Sequence, residues 1–251
     1  MSRYVRDICI MKILALDSSG LVASVAIVTD DAMVAEYTVN YKKTHSQTLL
    51  PMLNEIVKMV DINMEEIDAI AVAAGPGSFT GLRIGSATAK GLGLALSKPI
   101  IAVPTLEGLA YNLYGTEKLV CPLMDARRNQ VYTGIYGFIG NQLRVVKEQT
   151  AMAIEELIEE INTLGKEVIF LGDGTAVYRE MIEANTTVTY SIAPVHLSRQ
   201  RAGAVGALGI ELYKKEQIEA AAIHEPVYLR VSQAERERAE RLQKQDEVSQ
   251  I

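Results

Sequence analysis

Gly75-Pro76-Gly77-Ser78-Phe79-Thr80-Gly81-Leu82-Arg83 is the most chemically specific stretch of this sequence. Glycines that follow a buried strand and precede a helix can turn backbone N–H groups toward an anion. Together with Asp17, the residues Gly75, Gly77 and Ser78 are therefore candidate contacts for a nucleotide or other anion. The stretch is not a phosphate loop, because no Lys-Ser/Thr pair follows its last glycine. It is not a dinucleotide fingerprint either: the spacing is one residue too long and no acid follows about 20 residues on to hold a ribose. The alternative is a tight strand-to-helix turn capped by Ser78 or Thr80.

Asp17 and Asp125 each close an apolar run, and acids so placed can hold a magnesium ion or a phosphate-bound water. After Asp125 comes Ala126-Arg127-Arg128-Asn129. Without glycine this backbone cannot approach a phosphate closely. The two arginines could still hold an anion through their side chains, and the plainer alternative is a charged surface turn. His45, His196 and His224 do not pair with one another or with acids at ligand spacing, which argues against a metal site. Cys9 and Cys121 have no paired spacing, so a disulfide scaffold and structural zinc are excluded and the cytoplasm is the expected compartment. Neither has a histidine nearby in sequence, and no nucleophile–base pair can be assembled.

Gly81, Gly85, Ala89 and Gly93 recur every fourth residue. A glycine inside a helix costs roughly 1 kcal/mol relative to alanine, so several on one face imply a neighbour packed close to the backbone. That neighbour is either the chain's own sheet or a second polypeptide. Arg83 and Lys90 are the charges of this helix.

The scaffold around these residues is legible as a repeated pattern. Residues 13–16, 23–28 and 33–41 read as an antiparallel meander of strands. Leu49, Leu53, Ile56, Val57 and Val60 then line one helical face. Thr44 and Gln47 have capping-box spacing, Ser46 is an equally good cap, and Pro51 places the helix start just before it or a kink at it. A buried strand at 67–74, a helix at 80–96 and a strand at 99–103 follow. After Pro104 the order recurs: strands at 119–124, 131–138 and 142–148, a helix begun by Ile154, Leu157, Ile158 and Ile161, and a strand at 168–171 ending in Gly172-Asp173-Gly174. The expectation is an α/β chain made of a duplicated unit. Its divisions are a first lobe at 1–103, a second at 104–225 whose last helix could return to the first, and a charged tail at 226–251. Residues 1–10 read as an extension, since Met11 directly precedes the first strand; which methionine is the natural start is left open.

Composition bounds the function. The 251 residues are 49% hydrophobic and 22% charged, as globular chains are, and no apolar run reaches the ~18 residues of a membrane span. The start lacks a signal-peptide cleavage site, and Asp17 interrupts its apolar stretch. A net charge of −6, no Trp and three Phe argue against nucleic-acid binding by bulk electrostatics or base stacking, so contact with RNA would pass through a partner. At 234–247 charge dominates, with Glu237/Arg241 and Glu240/Lys244 spaced for a solvated helix; a frayed tail and a partner-docking tail are the alternatives.

KILALDSSGLVASVAIV from Lys12, HSQTLLP from His45, AVAAGPGSFTGLRIG from Ala71, MDARRNQVY from Met124 and EPVYLR from Glu225 resemble the TsaB (YeaZ) family, over about residues 11–231. The resemblance implies two ribonuclease H-like lobes of the actin/sugar-kinase/ATPase superfamily. It implies a role in bacterial tRNA modification, where threonylcarbamoyl is moved onto the adenosine beside the anticodon. The catalyst there is the paralogous subunit TsaD, which TsaB binds and activates, and an ATPase subunit, TsaE, joins the assembly. The catalytic paralogue carries a metal-binding His-x-Glu-Gly-His motif; here the matching stretch is Thr105-Leu106-Glu107-Gly108-Leu109. A hydroxyl and an isobutyl group cannot replace two imidazoles. The resemblance thus implies a subunit without metal, cofactor or catalytic residue, which reaches tRNA only through its complex. The expected partner interface comprises Leu49, Leu53, Ile56, Gly81, Arg83, Gly85, Ala89 and Gly93, serving TsaD and, in the chain alone, a homodimer. An ATP-binding enzyme built on Asp17 and the glycine turns is the alternative, and protease activity has the least support.

Overall fold

A computed structural model describes residues 10–230. The first extension residues and the charged run at 234–247 lie outside the described residues. Two five-stranded mixed sheets carry the fold. The first contains β1 (Lys12–Asp17), β2 (Ala23–Thr29), β3 (Met33–Val39), β4 (Ala69–Gly75) and β5 (Ile100–Pro104) in the order β3-β2-β1-β4-β5. The second contains β6 (Leu119–Asp125), β7 (Gln130–Ile139), β8 (Gln142–Ala153), β9 (Val168–Leu171) and β10 (Tyr190–Ile192) in the order β8-β7-β6-β9-β10. The two orders are the same. In each, an antiparallel meander joins a strand that pairs in parallel with its other neighbour. This is the duplication expected from the repeated strand pattern, and each copy is a ribonuclease H-like lobe.

The central strands are buried on both faces because helices cover both. On one face of the first sheet lie α1 (His45–Val60) and α2 (Phe79–Leu96), sealing a core of Leu14, Leu16, Val25, Ile27, Ile70 and Val72. On the other face lies α7 (Ala202–Lys214), which begins almost 100 residues after β5. Its Val205, Leu208 and Ile210 are at most 5% exposed, and each such side chain contributes roughly 1.5–3 kcal/mol. A Cβ on Gly206 would stand 2.6 Å from Val28 Cγ2, so the helix lies directly on β2. The N-terminal N–H of Gly203 donates to Glu36 Oε1 of β3 at 2.9 Å, and Arg201 pairs with the same carboxylate. A negative charge is thus held at the positive end of α7.

The second sheet is covered outside by α4 (Ile154–Leu164) and α6 (Arg179–Asn185). Inside, α3 (Thr105–Ala110) inserts Leu106 and Leu109 against Val120, Met124 and Tyr136. A one-turn helix, α5 (Gly174–Val177), follows β9.

Local details depart from the expectations. α1 starts at His45, six residues before Pro51, which sits inside the helix. Thr44 is the N-cap but its side chain makes no capping bond, so the Thr44/Gln47 box is not formed; Gln47 N–H donates instead to the Thr44 carbonyl at 2.9 Å. β8 runs to Ala153, five residues past the expected end, because it stays paired with β7 as far as Gln130.

Candidate functional site

The candidate anion contacts spend their hydrogen bonds inside the chain. Asp17 ends β1 at 2% exposure, and its Oδ1 accepts from Ser19 N (2.9 Å) and Ser19 Oγ (2.7 Å). Burial pushes its carboxyl up to about 6, against the pull of these bonds and of His45. Ser78 N–H donates to the Ser19 carbonyl at 2.6 Å, while Ser78 Oγ accepts from Gly81 N at 3.3 Å and caps α2. Gly75 N–H donates to Thr105 Oγ1 at 3.0 Å. A Cβ on Gly77 would overlap the Ser19 carbonyl, and one on Gly75 would overlap that of Val227. The loop's glycines therefore make room for the chain itself. Asp17, Gly75 and Ser78 thus hold a turn-on-turn junction, with Gly77 packed against the Ser19 carbonyl, where the sequence suggested a nucleotide or anion contact.

The small-residue stripe is corrected in the same way. A Cβ on Gly81 would overlap the Ser18 carbonyl, one on Gly85 would stand 2.5 Å from Ser18 Oγ, and one on Gly93 would stand 2.8 Å from Ala221 Cβ. Ala89 is fully buried. Of the two alternatives for this stripe, the neighbour is the chain itself. Leu49, Leu53 and Ile56 are likewise at most 5% exposed in the core under α1 and are not available to a partner. Arg83 alone of the expected interface residues is exposed. Its guanidinium lies 4.1 Å over the Phe79 ring, and its Nε donates to Tyr228 Oη at 3.3 Å. On the outward face of α2, Ala87, Gly91 and Leu94 are also exposed, and a Cβ on Gly91 would meet nothing within 4 Å. On α1, Leu50 (54%) and Met59 (79%) point outward.

The Thr105–Leu109 stretch is engaged within the chain. Thr105 Oγ1 is taken by Gly75 N, and Leu109 lies in the apolar core of the second lobe. Glu107 is pushed up to about 7, by burial and then by Glu148. Among the described residues no cluster of three His, Cys, Asp or Glu side chains is placed to hold a metal.

One constellation was not legible in the sequence. His224, fully buried, sits 2.5 Å from Glu219 through Nδ1 and 3.0 Å from Ser86 Oγ through Nε2. The line resembles a hydrolytic triad, but Ser86 lies mid-helix, where the amides that would stabilise an oxyanion are bonded within α2. Lys90 Nζ also donates to the His224 carbonyl at 2.9 Å. The group fastens the segment after α7 onto α2. A separation of 138 residues left no local signal for it.

The turn after Asp125 is open where the first-lobe turn is closed. Arg127, Arg128 and Asn129 all have positive φ, at 67°, 56° and 60°. For the two arginines, which unlike asparagine are not at ease there, such a conformation costs of order 1–3 kcal/mol each. Arg127 N and Tyr178 Oη donate to Asp125 Oδ1 at 2.9 and 3.2 Å, Asn129 Nδ2 to Glu155 at 2.9 Å, and Arg230 Nη1 to the Ala126 carbonyl at 2.8 Å. The turn and the α5–α6 segment enclose an open cavity of about 740 Å³.

A family model described as TsaD, tRNA N6-adenosine threonylcarbamoyltransferase, matches residues 33–238. The chain is 37% identical over 228 residues to the tRNA threonylcarbamoyladenosine biosynthesis protein TsaB of Bacillus subtilis (strain 168), covering 90% of this chain and 96% of that one. It is 30% identical over 235 residues to the TsaB of Haemophilus influenzae, covering 88% and 94%. The solved structure of YeaZ from Pseudomonas aeruginosa superposes with a TM-score of 0.76 at 27% identity, covering 87% of this chain and all of that one. The match to the transferase group, the near full-length identity to TsaB and the twin-lobed YeaZ fold agree: the chain belongs to the TsaB (YeaZ) family.

Proposed function

We propose that the chain is a non-catalytic subunit that binds and activates a TsaD-type transferase, together with a TsaE-type ATPase, in the transfer of threonylcarbamoyl to the adenosine beside the tRNA anticodon. The relatives' name, tRNA threonylcarbamoyladenosine biosynthesis protein, supports the pathway. The observation that carries the accessory role is the consumption of the first lobe's polar groups. Asp17, Gly75, Ser78 and Thr105 bond one another or their neighbours and Gly77 packs on the Ser19 carbonyl, so the donors that a nucleotide or a metal would use there are engaged within the chain. What this lobe offers outward is the exposed side of α1 and α2, with Leu50, Met59, Arg83, Ala87, Gly91 and Leu94. Apolar side chains on adjoining helices suit a docking face for the transferase, and for a second copy when the chain is alone. Among the described residues no helix is long and apolar enough to cross a membrane.

The test is reconstitution. Transfer of threonylcarbamoyl to tRNA is measured with TsaD-type and TsaE-type proteins, with and without this chain. The chain is expected to be inactive alone and to raise turnover when added. Turnover by the chain alone, or no response to its addition, overturns the reading.

A further inference from the structure

In an acidic chain, three guanidiniums line one cavity of the second lobe: Arg127 and Arg128 from the 126–129 turn and Arg179 from the start of α6. The turn's backbone makes the choice of residues informative. Glycine or asparagine is at ease at positive φ, yet two of the three consecutive positive-φ positions hold arginine. A local rule is broken in favour of the side chain, which is the pattern of a functional surface. The Arg127 side chain is 86% exposed, and Arg128 is exposed and makes no ion pair with any described carboxylate. Arg230 braces the turn from behind through the Ala126 carbonyl.

The acids of the cavity select the ligand. Asp125 lies 3.3 Å from Arg127, and Glu180 stands on the same wall as Arg179, which also pairs with Glu183 at 2.8 Å. A triphosphate would bring several charges against Asp125 and Glu180 with no backbone cradle to hold them. A phosphodiester brings one charge per group, and planar guanidinium forks on an open turn suit it.

We propose that Arg127, Arg128 and Arg179 form a contact for the phosphodiester backbone of RNA, used when the chain stands in its tRNA-modifying assembly. The proposal rests on the accessory-subunit reading. The exposed guanidiniums of Arg127 and Arg128 turn cations outward from a chain of net negative charge, and the contact adds to a complex formed elsewhere. It places the second lobe, opposite in role to the docking helices of the first, alongside the substrate.

The experiment uses the complex of the full chain with its TsaD-type partner and measures tRNA affinity between about 50 and about 200 mM salt. The variants are Arg127→Gly/Arg128→Gly and Arg179→Gln. Glycine removes the guanidiniums and relieves the backbone, so the melting temperature should hold or rise while affinity falls about tenfold. The slope of log affinity against log salt should flatten by roughly 0.7–0.9 for each phosphate-bound guanidinium removed. Arg127→Asn/Arg128→Asn, also at ease in this backbone, should repeat the result. Unchanged affinity and slope in folded variants overturn the proposal. So does calorimetry in which ATP or inorganic phosphate binds the isolated chain through these arginines, because the site would then serve a small anion. Light scattering follows complex formation in parallel. No complex overturns the accessory reading and this inference with it; a stimulating complex indifferent to the arginines overturns this inference alone.

Discussion

Asp17 gives the first lobe a pH dependence of definite sign. Its carboxyl is raised from the usual 3.8 to about 6 by burial, so the folded chain binds that proton more tightly than the unfolded chain. The stability from this group is full below about pH 4, falls as pH rises toward 6, and is level above. Asp17→Asn keeps an oxygen for both Ser19 donors and removes the buried charge. It should stabilise the fold at pH 8 by up to about 3 kcal/mol and do nothing at pH 4, as read by melting temperature at the two values. Glu107, raised from 4.5 to about 7, acts in the same direction over a slightly higher window. Gly85 is a second decisive residue. Its Cα faces Ser18 Oγ, which itself donates to the Gly81 carbonyl at 2.9 Å. Gly85→Leu should therefore cost about 3 kcal/mol or more by overpacking, seen as loss of soluble, cooperatively melting protein. Had the stripe faced a partner, the same variant would have stayed folded and lost only association.

Among the elements, α2 has two faces with opposite demands. The inward face holds Gly81, Gly85, Ala89 and Gly93 because the Ser18 turn and the segment around Ala221 come within contact of its backbone. Outward, Gly91 meets nothing. Gly91→Ala should then stabilise the isolated chain by about 0.5–1 kcal/mol through helix propensity alone, measured by urea denaturation. Leu94, 59% exposed on that side, tests the docking face. Leu94→Glu should leave the circular dichroism spectrum and melting temperature unchanged and weaken association with the transferase at least tenfold, about 1.4 kcal/mol. Retained association would remove α2 from the interface.

Across the molecule, the lobes are joined by returning chain. α7 closes the first sheet after the chain has built the second, and Glu36 fixes its start through Arg201 and Gly203. Glu36 is only 10% exposed, so Glu36→Ala strands a half-buried guanidinium and an unpaired helix N–H. The expected loss is about 2–4 kcal/mol, below the range for a fully buried pair at its low end because Arg201 keeps some water. Chemical denaturation should show one cooperative transition moved to lower denaturant. A second, separate transition would show that the lobes unfold independently despite the shared helix.

The features legible along the chain were periodic and local. The apolar runs at 13–16, 67–74, 119–124 and 168–171, each closed by turn residues, marked strands buried on both faces, and their recurrence disclosed the two lobes. The motif blocks disclosed the family. The meaning of a small or polar residue was settled in three dimensions. A glycine says that something comes close, and the fold says what: for Gly81 and Gly85 it is the Ser18 turn, more than 60 residues away in sequence. A polar side chain says that a bond is available, and the fold says whether it is spent, as Ser78 and Asp17 are. α3 escaped the sequence reading, and α7 entered it only as a last helix without bounds, because short or glycine-rich apolar helices buried on several sides show no single stripe. Ser86, His224 and Glu219 meet for the same reason that such meetings stay hidden: contact between distant segments is fixed by packing geometry, which leaves no periodic trace in the chain.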